Sequence, residues 1–404
     1  MERSRSWSQS DRTAKLEALV SRPNERCELS DRIIDWERVR SDFPVTERLV
    51  YLNSAAAGPV ARPVAEAATG FYQDMLTSGD ARWFEWREQI EEARQKVARV
   101  INADPDEIAF TTNTSTGMNL IVDALEGVGE VISCQLEFPV STIPWLHRGM
   151  AVHFAATPDG CLTAEAIRDA MTKRTAIISI SHVQYSNGAR ADLFEIGRAK
   201  GDHWLVVNAS QSAGVLPLDV KRMRIDALCA TGHKWMCAGY GVGFVYLSRR
   251  VMARAAPRAI SWMSVHEPFA MRNDRCNPRG DAAARAEIGC PHFAGIFALG
   301  KAAEYLLGLG TERVAERALA LNQHLTRELE RAGWRVLSPA GEARSAETLV
   351  AAAEPTRVVA HLKARGIAVT EKPEGFRVAT HFFNTAGDVA RLIAALNEAW
   401  AQVI

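Results

Sequence analysis

Across residues 107–247 the chain alternates short apolar runs with amphipathic stretches. The runs IAF, VIS, AVHF, TAIISISH, HWLVV, ALCA and VGFVYL have strand length, and several are apolar at nearly every position. Strands of that kind are buried on both faces, as in a parallel sheet sandwiched between helices. Residues 163–170 and 191–200 read as helices, each leading into another buried strand. The spacing predicts an α/β fold with a large, mostly parallel central sheet.

The pattern differs outside this block. Residues 1–47 are polar and then mixed, which predicts an arm or irregular lead-in. YLNSAAAGPVARPVAEAATGFYQDM predicts a short strand, a turn and a helix after Pro63. Residues 82–100 predict a helix whose stripe of Trp83, Trp86, Ile90, Ala93 and Val97 packs into the core or a subunit contact. Residues 252–289 are rich in Arg and Pro and weakly periodic, the pattern of a lid or of a substrate-facing or subunit-facing segment. Helical periodicity returns at 293–307 and 311–332, broken by Gly308 and Gly310. WRVLS, ETLVAA, VVAHLKARGIAVTE, GFRVATHFFNT and DVARLIAALNEAWAQVI then alternate strand and helix. The expected plan is an arm at 1–50 contributing to the small domain, a large domain at 51–310 and a small α+β domain at 311–404.

Charge and cysteine content narrow the classes. Lys plus Arg equals Asp plus Glu at 48 each, so neither nucleic acid nor an anionic membrane is an expected partner. No apolar run of about 18 residues and no signal-peptide core near Met1 is present, and the expected location is cytoplasmic. The seven cysteines, Cys27, Cys134, Cys161, Cys229, Cys237, Cys276 and Cys290, show neither metal-ligand spacing nor a secreted disulfide framework. No metal is expected, and most of the cysteines read as small buried hydrophobes.

Three segments carry candidate chemistry. In TGHKWMCAGYGVGFVYLSRR, Lys234 lies beside His233 in a Gly-rich turn before an apolar strand. It reads either as a solvated turn lysine or as an amine that forms a Schiff base with an aldehyde cofactor. In WLVVNASQSAG a buried strand ends at Asn208 and Gln211, either turn residues or contacts to a planar ligand at a sheet edge. In EIAFTTNTSTGMNLIVDAL a strand leads through hydroxyl residues into a helix, either an ordinary N-cap or an anion site built from backbone amides.

In this order, YLNSAAAGPV, TSTGMN, LEFPVSTIPW, SHVQYSNGA, GHKW and FRVATHFFNT resemble the class V aminotransferase family of pyridoxal-phosphate (PLP) enzymes. The resemblance runs from about Tyr51 to the C-terminus and is nearest to the isopenicillin N epimerase and cysteine desulfurase branch. It implies a PLP-dependent fold-type-I homodimer with active sites near the subunit interface. Lys234 would carry the cofactor and move protons at the substrate α-carbon. Ser115, Thr116, Thr231 and His233 would surround the phosphate, with Cys290 where relatives commonly supply a threonine across the dimer. Phe138 would stack on the pyridine face, Gln211 would bond the phenolate oxygen, and His182 and Tyr185 would frame the site. Arg377 would grip the substrate α-carboxylate with its bidentate fork.

Two positions depart from the family. Asn208 stands where relatives carry an aspartate that keeps the pyridine nitrogen protonated, and a neutral amide cannot supply that charge. RGIAVTEKPEGF, residues 365–376, holds no cysteine to accept sulfur, so persulfide-forming cysteine desulfuration is not the expected reaction. The leading expectation is β-elimination from a cysteine-derived S-conjugate in specialised, natural-product metabolism. Epimerisation and dioxygen-dependent decarboxylating or oxidative deamination remain open, as does a non-catalytic binding protein of the same fold; the fold name alone is poor evidence for transamination. His266, Arg272, Arg275 and Arg279 fit either an anionic or sugar-like substrate or a solvated loop.

Overall fold

The structure, a computed structural model, describes residues 34–403. The expected arm therefore lies mostly outside the described residues. Its visible end forms a helix, Trp36–Ser41, where the sequence pattern suggested an irregular lead-in. Arg40 in this helix pairs with Asp388 at 2.7 and 3.1 Å and donates to the Phe383 carbonyl. A long-range ion pair thus holds a segment whose own periodicity is too short to signal a helix.

After a two-residue strand, β1 (Val50–Tyr51), seven strands form the central sheet. They are β2 (Ile108–Thr111), β3 (Glu130–Cys134), β4 (Val152–Ala155), β5 (Thr175–Ser181), β6 (Trp204–Asn208), β7 (Ala227–Thr231) and β8 (Gly243–Leu247), in the spatial order β2-β8-β7-β6-β5-β3-β4. Only β8 runs against the others, pairing antiparallel with both β2 and β7. The carboxyl ends of β2, β3, β4, β5, β6 and β7 therefore share one edge, where an open α/β sheet offers a crevice. β3, β7 and β8 are buried along their whole length, as the uninterrupted apolar runs require. Helices Arg62–Ser78, Trp83–Val100 and Phe293–Leu309 pack against one another, with Trp86, Ile90, Ala93 and Val97 buried at their contact.

A second, smaller sheet contains β9 (Glu347–Ala351), β11 (Thr370–Lys372) and β12 (Gly375–Ala379) in the antiparallel order β11-β12-β9. Between β9 and β11, β10 (Ile367–Ala368) pairs in parallel with β1 as a separate two-stranded sheet, so the chain pairs with a C-terminal strand before it enters the large sheet. WRVLS does not become a full strand: it contributes one bridge, Val336 to Val350. The small sheet has two unlike faces because strand side chains alternate. Val350, Phe376 and Val378 join Leu325, Leu329, Leu362, Leu392 and Leu396 in a core. On the other face the register sets Arg377 beside Leu349 and Thr370, with Glu347 and Lys372 each two residues along their strands.

Residues 252–289 hold only short elements, Trp262–Ser264, Pro268–Ala270 and Ala283–Ala286 among them, in keeping with their weak periodicity. Arg272 pairs there with Asp274, and Arg279 with Asp281. Among the described residues no single helix is long and apolar enough to cross a membrane.

Candidate active site

Lys234 follows β7 by three residues, in a turn fastened on several sides. Gly232 N–H donates to Val242 O at 2.8 Å, and Ala238 N–H donates to Gly232 O at 2.9 Å. Gly58, in YLNSAAAGPV, donates its N–H to His233 O at 2.7 Å, and a Cβ there would stand 2.1 Å from the Lys234 carbonyl oxygen. Only glycine permits that approach. From the small domain, buried His381 bonds the Trp235 carbonyl through Nε2 at 3.0 Å. Its imidazole is pushed down to about 4 by burial.

Lys234 as a residue is half-buried. Desolvation pushes Lys234 down to about 8; Glu347 opposes the shift, while Arg377 and Lys372 add to it. The Phe138 ring centroid lies 5.8 Å from Nζ, and this ring meets Tyr185 edge-on at 5.1 Å. Buried Glu137 fixes that corner by accepting from Ser181 N–H at 2.6 Å and Gln184 Nε2 at 2.8 Å. A measurable consequence follows. Only the neutral amine adds to an aldehyde, so the rate at which apoprotein takes up pyridoxal phosphate should rise with pH through about 8 and flatten by about 9. An ordinary lysine, near 10.4, would leave the rate still climbing about tenfold per pH unit at 9.

The helix Thr114–Leu125 opens with Asn113 as its cap, the side chain accepting from Thr116 N–H at 3.0 Å. Ser115 and Thr116 are exposed at this end, and the Thr114 hydroxyl bonds Ser210 at 2.7 Å, tying the helix start to the loop after β6. Thr231 Oγ1 bonds His233 Nδ1 at 2.7 Å, and the His233 ring stacks on Tyr240 at 4.3 Å. Burial, then Lys234, pushes His233 down to about 4, so near neutral pH it offers an uncharged ring. Free amides and hydroxyls at a helix start suit a phosphate.

At the end of β6, Asn208 Oδ1 accepts from Ser210 N–H at 3.1 Å, and Nδ2 donates to Ser141 Oγ at 3.2 Å. The oxygen is thus occupied, and one amide hydrogen remains beyond the one given to Ser141. Gln211 is a fastener: Nε2 donates to Ala55 O at 3.0 Å, and Oε1 accepts from Trp235 Nε1 at 2.8 Å. One amide hydrogen remains for any further contact. His182 is buried, its Nδ1 has no partner, and desolvation pushes its ring down to about 3. Tyr185 sits at the rim, whereas Cys290 is exposed. Three of the six described cysteines, Cys134, Cys229 and Cys237, are buried; Cys276, like Cys290, is exposed and Cys161 is half-buried.

Arg377 is buried on the face of β12 that looks toward Lys234. Its Nη1 donates to Tyr185 O at 2.8 Å and lies 3.2 Å from Glu347 Oε2, while Nε has no partner. Sequence reading missed Glu347 and Lys372, both in electrostatic reach of Lys234. The available signals were a glutamate opening an apolar strand, ETLVAA, and a lysine immediately before the hairpin turn. An electron-poor aldehyde ring with a phosphate fits these residues: a low-pKa amine, an aromatic face, amide hydrogens at a strand end and an uncharged histidine by a helix start. Among the described residues no cluster of His, Cys, Asp and Glu could hold a metal.

Comparison with known proteins places the chain in a family. The sequence profile of the class V aminotransferases matches residues 50–392. Isopenicillin N epimerase of Streptomyces clavuligerus is 28% identical, over 90% of this chain and 98% of that protein. A probable cysteine desulfurase of Methanothermobacter thermautotrophicus is 29% identical, over 72% of this chain and 74% of that protein. The apo cysteine desulfurase of Thermococcus onnurineus NA1 superposes with a TM-score of 0.82 at 23% identity, covering 91% of this chain and 98% of that one, which shows a common fold. These likenesses correct one expectation. Persulfide-forming desulfuration was excluded because 365–376 holds no cysteine, but probable cysteine desulfurases are among the relatives that align with most of this chain. The short β11–β12 hairpin removes one place for a sulfur acceptor, not the sulfur chemistry.

Proposed function

The chain belongs to the class V aminotransferase family, and within it we propose that this protein is a C–S lyase that removes a β-thio group from a cysteine-derived conjugate. It is a pyridoxal-phosphate enzyme acting on amino-acid or cysteine-type substrates. Bound pyridoxal phosphate supplies an electron-withdrawing ring that stabilises negative charge at the substrate α-carbon.

The observation that carries the reading is the Lys234 amine, pushed down to about 8 and in electrostatic reach of Arg377. With the α-carboxylate on Arg377, Lys234 takes the Cα proton. The Cα–H electrons form the Cα=Cβ bond as the Cβ–S bond breaks, and the ammonium of Lys234 can return the proton to the departing sulfur. Hydrolysis of the released enamine yields a 2-oxo acid and ammonia. One base suffices for this sequence. Phe138 covers the ligand ring and Asn208 gives it an amide hydrogen in place of a carboxylate. Ser115, Thr116, Thr231 and His233 surround the phosphate in this reading, in a homodimer that brings a partner chain to the exposed Cys290.

Epimerisation is the second reading, favoured by the near full-length likeness to isopenicillin N epimerase. It needs a proton donor on the opposite side of Cα, where this assignment puts the Phe138 ring. Cysteine S-conjugates incubated in deuterium oxide, under air and under nitrogen, distinguish the alternatives. Elimination gives thiol and 2-oxo acid in equal amounts with or without oxygen. Recovery of intact amino acid of inverted configuration carrying deuterium at Cα would establish epimerisation. A stoichiometric persulfide on the protein would establish desulfuration, and product formed only in air an oxidative route.

A further inference from the structure

The face of the small sheet turned toward Lys234 carries more charge than one arginine. Antiparallel register sets Thr370 opposite Arg377 and Leu349 opposite Arg377 on the other side, so Lys372 and Glu347 project from the same face two residues away. Glu347 is fully buried, neither carboxylate oxygen accepts a hydrogen bond, and the nearest cation is Arg377 at 3.2 Å. Burial outweighs the opposing pull of Arg377, Lys234 and Lys372, so its carboxyl is held above the ordinary carboxylate range. Lys372 is half-buried with its ammonium 4.5 Å from the centre of the Tyr185 ring, and Arg377 donates to that residue's carbonyl. The Lys372 ammonium makes no hydrogen bond or ion pair among the described residues. Burial, then Arg377, pushes its amine down to about 8.

A substrate carboxylate arriving at Arg377 would meet a guanidinium already shared with a buried carboxylate. Two carboxylates on one cation repel each other, and the low dielectric of the site makes the repulsion strong. A second cation on the same face removes the conflict. We infer that Lys372, Arg377 and Glu347 form one clamp for the substrate α-carboxylate, in which Lys372 supplies the binding charge that Glu347 withdraws from Arg377. Two cations and one anion leave a single positive charge, the complement of one carboxylate. Glu347 acts through the arginine: together with Tyr185 O it holds Nη1 and so fixes where the guanidinium sits. A free hairpin lysine would instead extend into water, where its charge is best solvated.

This inference rests on the site's binding an amino acid, not on which reaction follows. The test is calorimetric titration of the pyridoxal-phosphate-loaded enzyme with L-alanine, which has no β leaving group, and with L-alaninamide, which has no carboxylate. Lys372→Gln should weaken L-alanine binding by about 10-fold or more, the scale of one charge-assisted contact. Lys372→Arg should keep most of the affinity. Glu347→Gln, which preserves shape and removes the repelling charge, should tighten L-alanine binding severalfold. Neither glutamine variant should change L-alaninamide binding. Unchanged L-alanine affinity in Lys372→Gln, weaker binding in Glu347→Gln, or equal losses for both ligands would overturn the clamp. Normal clamp behaviour in an enzyme that releases no thiol would count against elimination alone.

Discussion

Replacing Lys234 with alanine should lower turnover by about 10³-fold or more, because the substitution removes both the cofactor anchor and the base at Cα. The size of the loss does not by itself identify the residue, since a second amine shares the site. Lys372, on the facing small sheet, is also pushed down to about 8 and could react with an aldehyde. Borohydride reduction of the loaded protein followed by peptide mapping separates the two. The pyridoxyl group should sit on Lys234, and Lys234→Ala should abolish the label while Lys372→Gln retains it. A label on Lys372 would reverse their roles, and no label on any lysine would leave the non-catalytic reading standing. The geometry favours Lys234 because its turn is held by Gly58, Val242 and His381 from three parts of the chain. Lys372, on a three-residue strand before an exposed turn, has no such enclosure.

The central sheet was legible because its strands are apolar on both faces, a pattern surface strands lack. Six strands ending on one edge then follow from parallel pairing, and five of those ends supply Asn208, His182, Phe138, Thr231 and the Asn113 cap, which lie far apart in sequence. Roles set by long-range partners were less legible. Gln211 looks from sequence like a free strand-end amide, yet most of its capacity is spent on Ala55 and Trp235. The helix Trp36–Ser41 depends on an ion pair to Asp388, almost 350 residues away in the chain, which no local periodicity encodes. Glu347 and Lys372 escaped notice for the same reason. A glutamate beginning a strand and a lysine near a turn are usually solvated, and only the register of β9, β11 and β12 puts them on one face with Arg377.

Arg377→Ala should weaken productive amino-acid binding by roughly 2–4 kcal/mol while leaving cofactor attachment at Lys234 intact. Two effects contribute, and they can be separated. The substrate loses its charge-assisted contact, and Glu347 loses its nearest cation while remaining buried, which penalises folding. The double variant Arg377→Ala with Glu347→Gln removes the stranded charge, so thermal stability should recover relative to Arg377→Ala while substrate affinity does not return to the wild-type value. Arg377→Lys should rescue little. The wild-type guanidinium meets Tyr185 O and Glu347 through Nη1 and keeps further N–H groups on the same planar fork, whereas a lysine offers one charged atom on a flexible stem for every contact. Catalytic efficiency toward cysteine S-conjugates, L-alanine affinity and melting temperature, measured on the three variants, give the comparison. Normal turnover in Arg377→Ala would mean that the carboxylate is held elsewhere. Full rescue by lysine would mean that the site needs a charge at this position but not the fork.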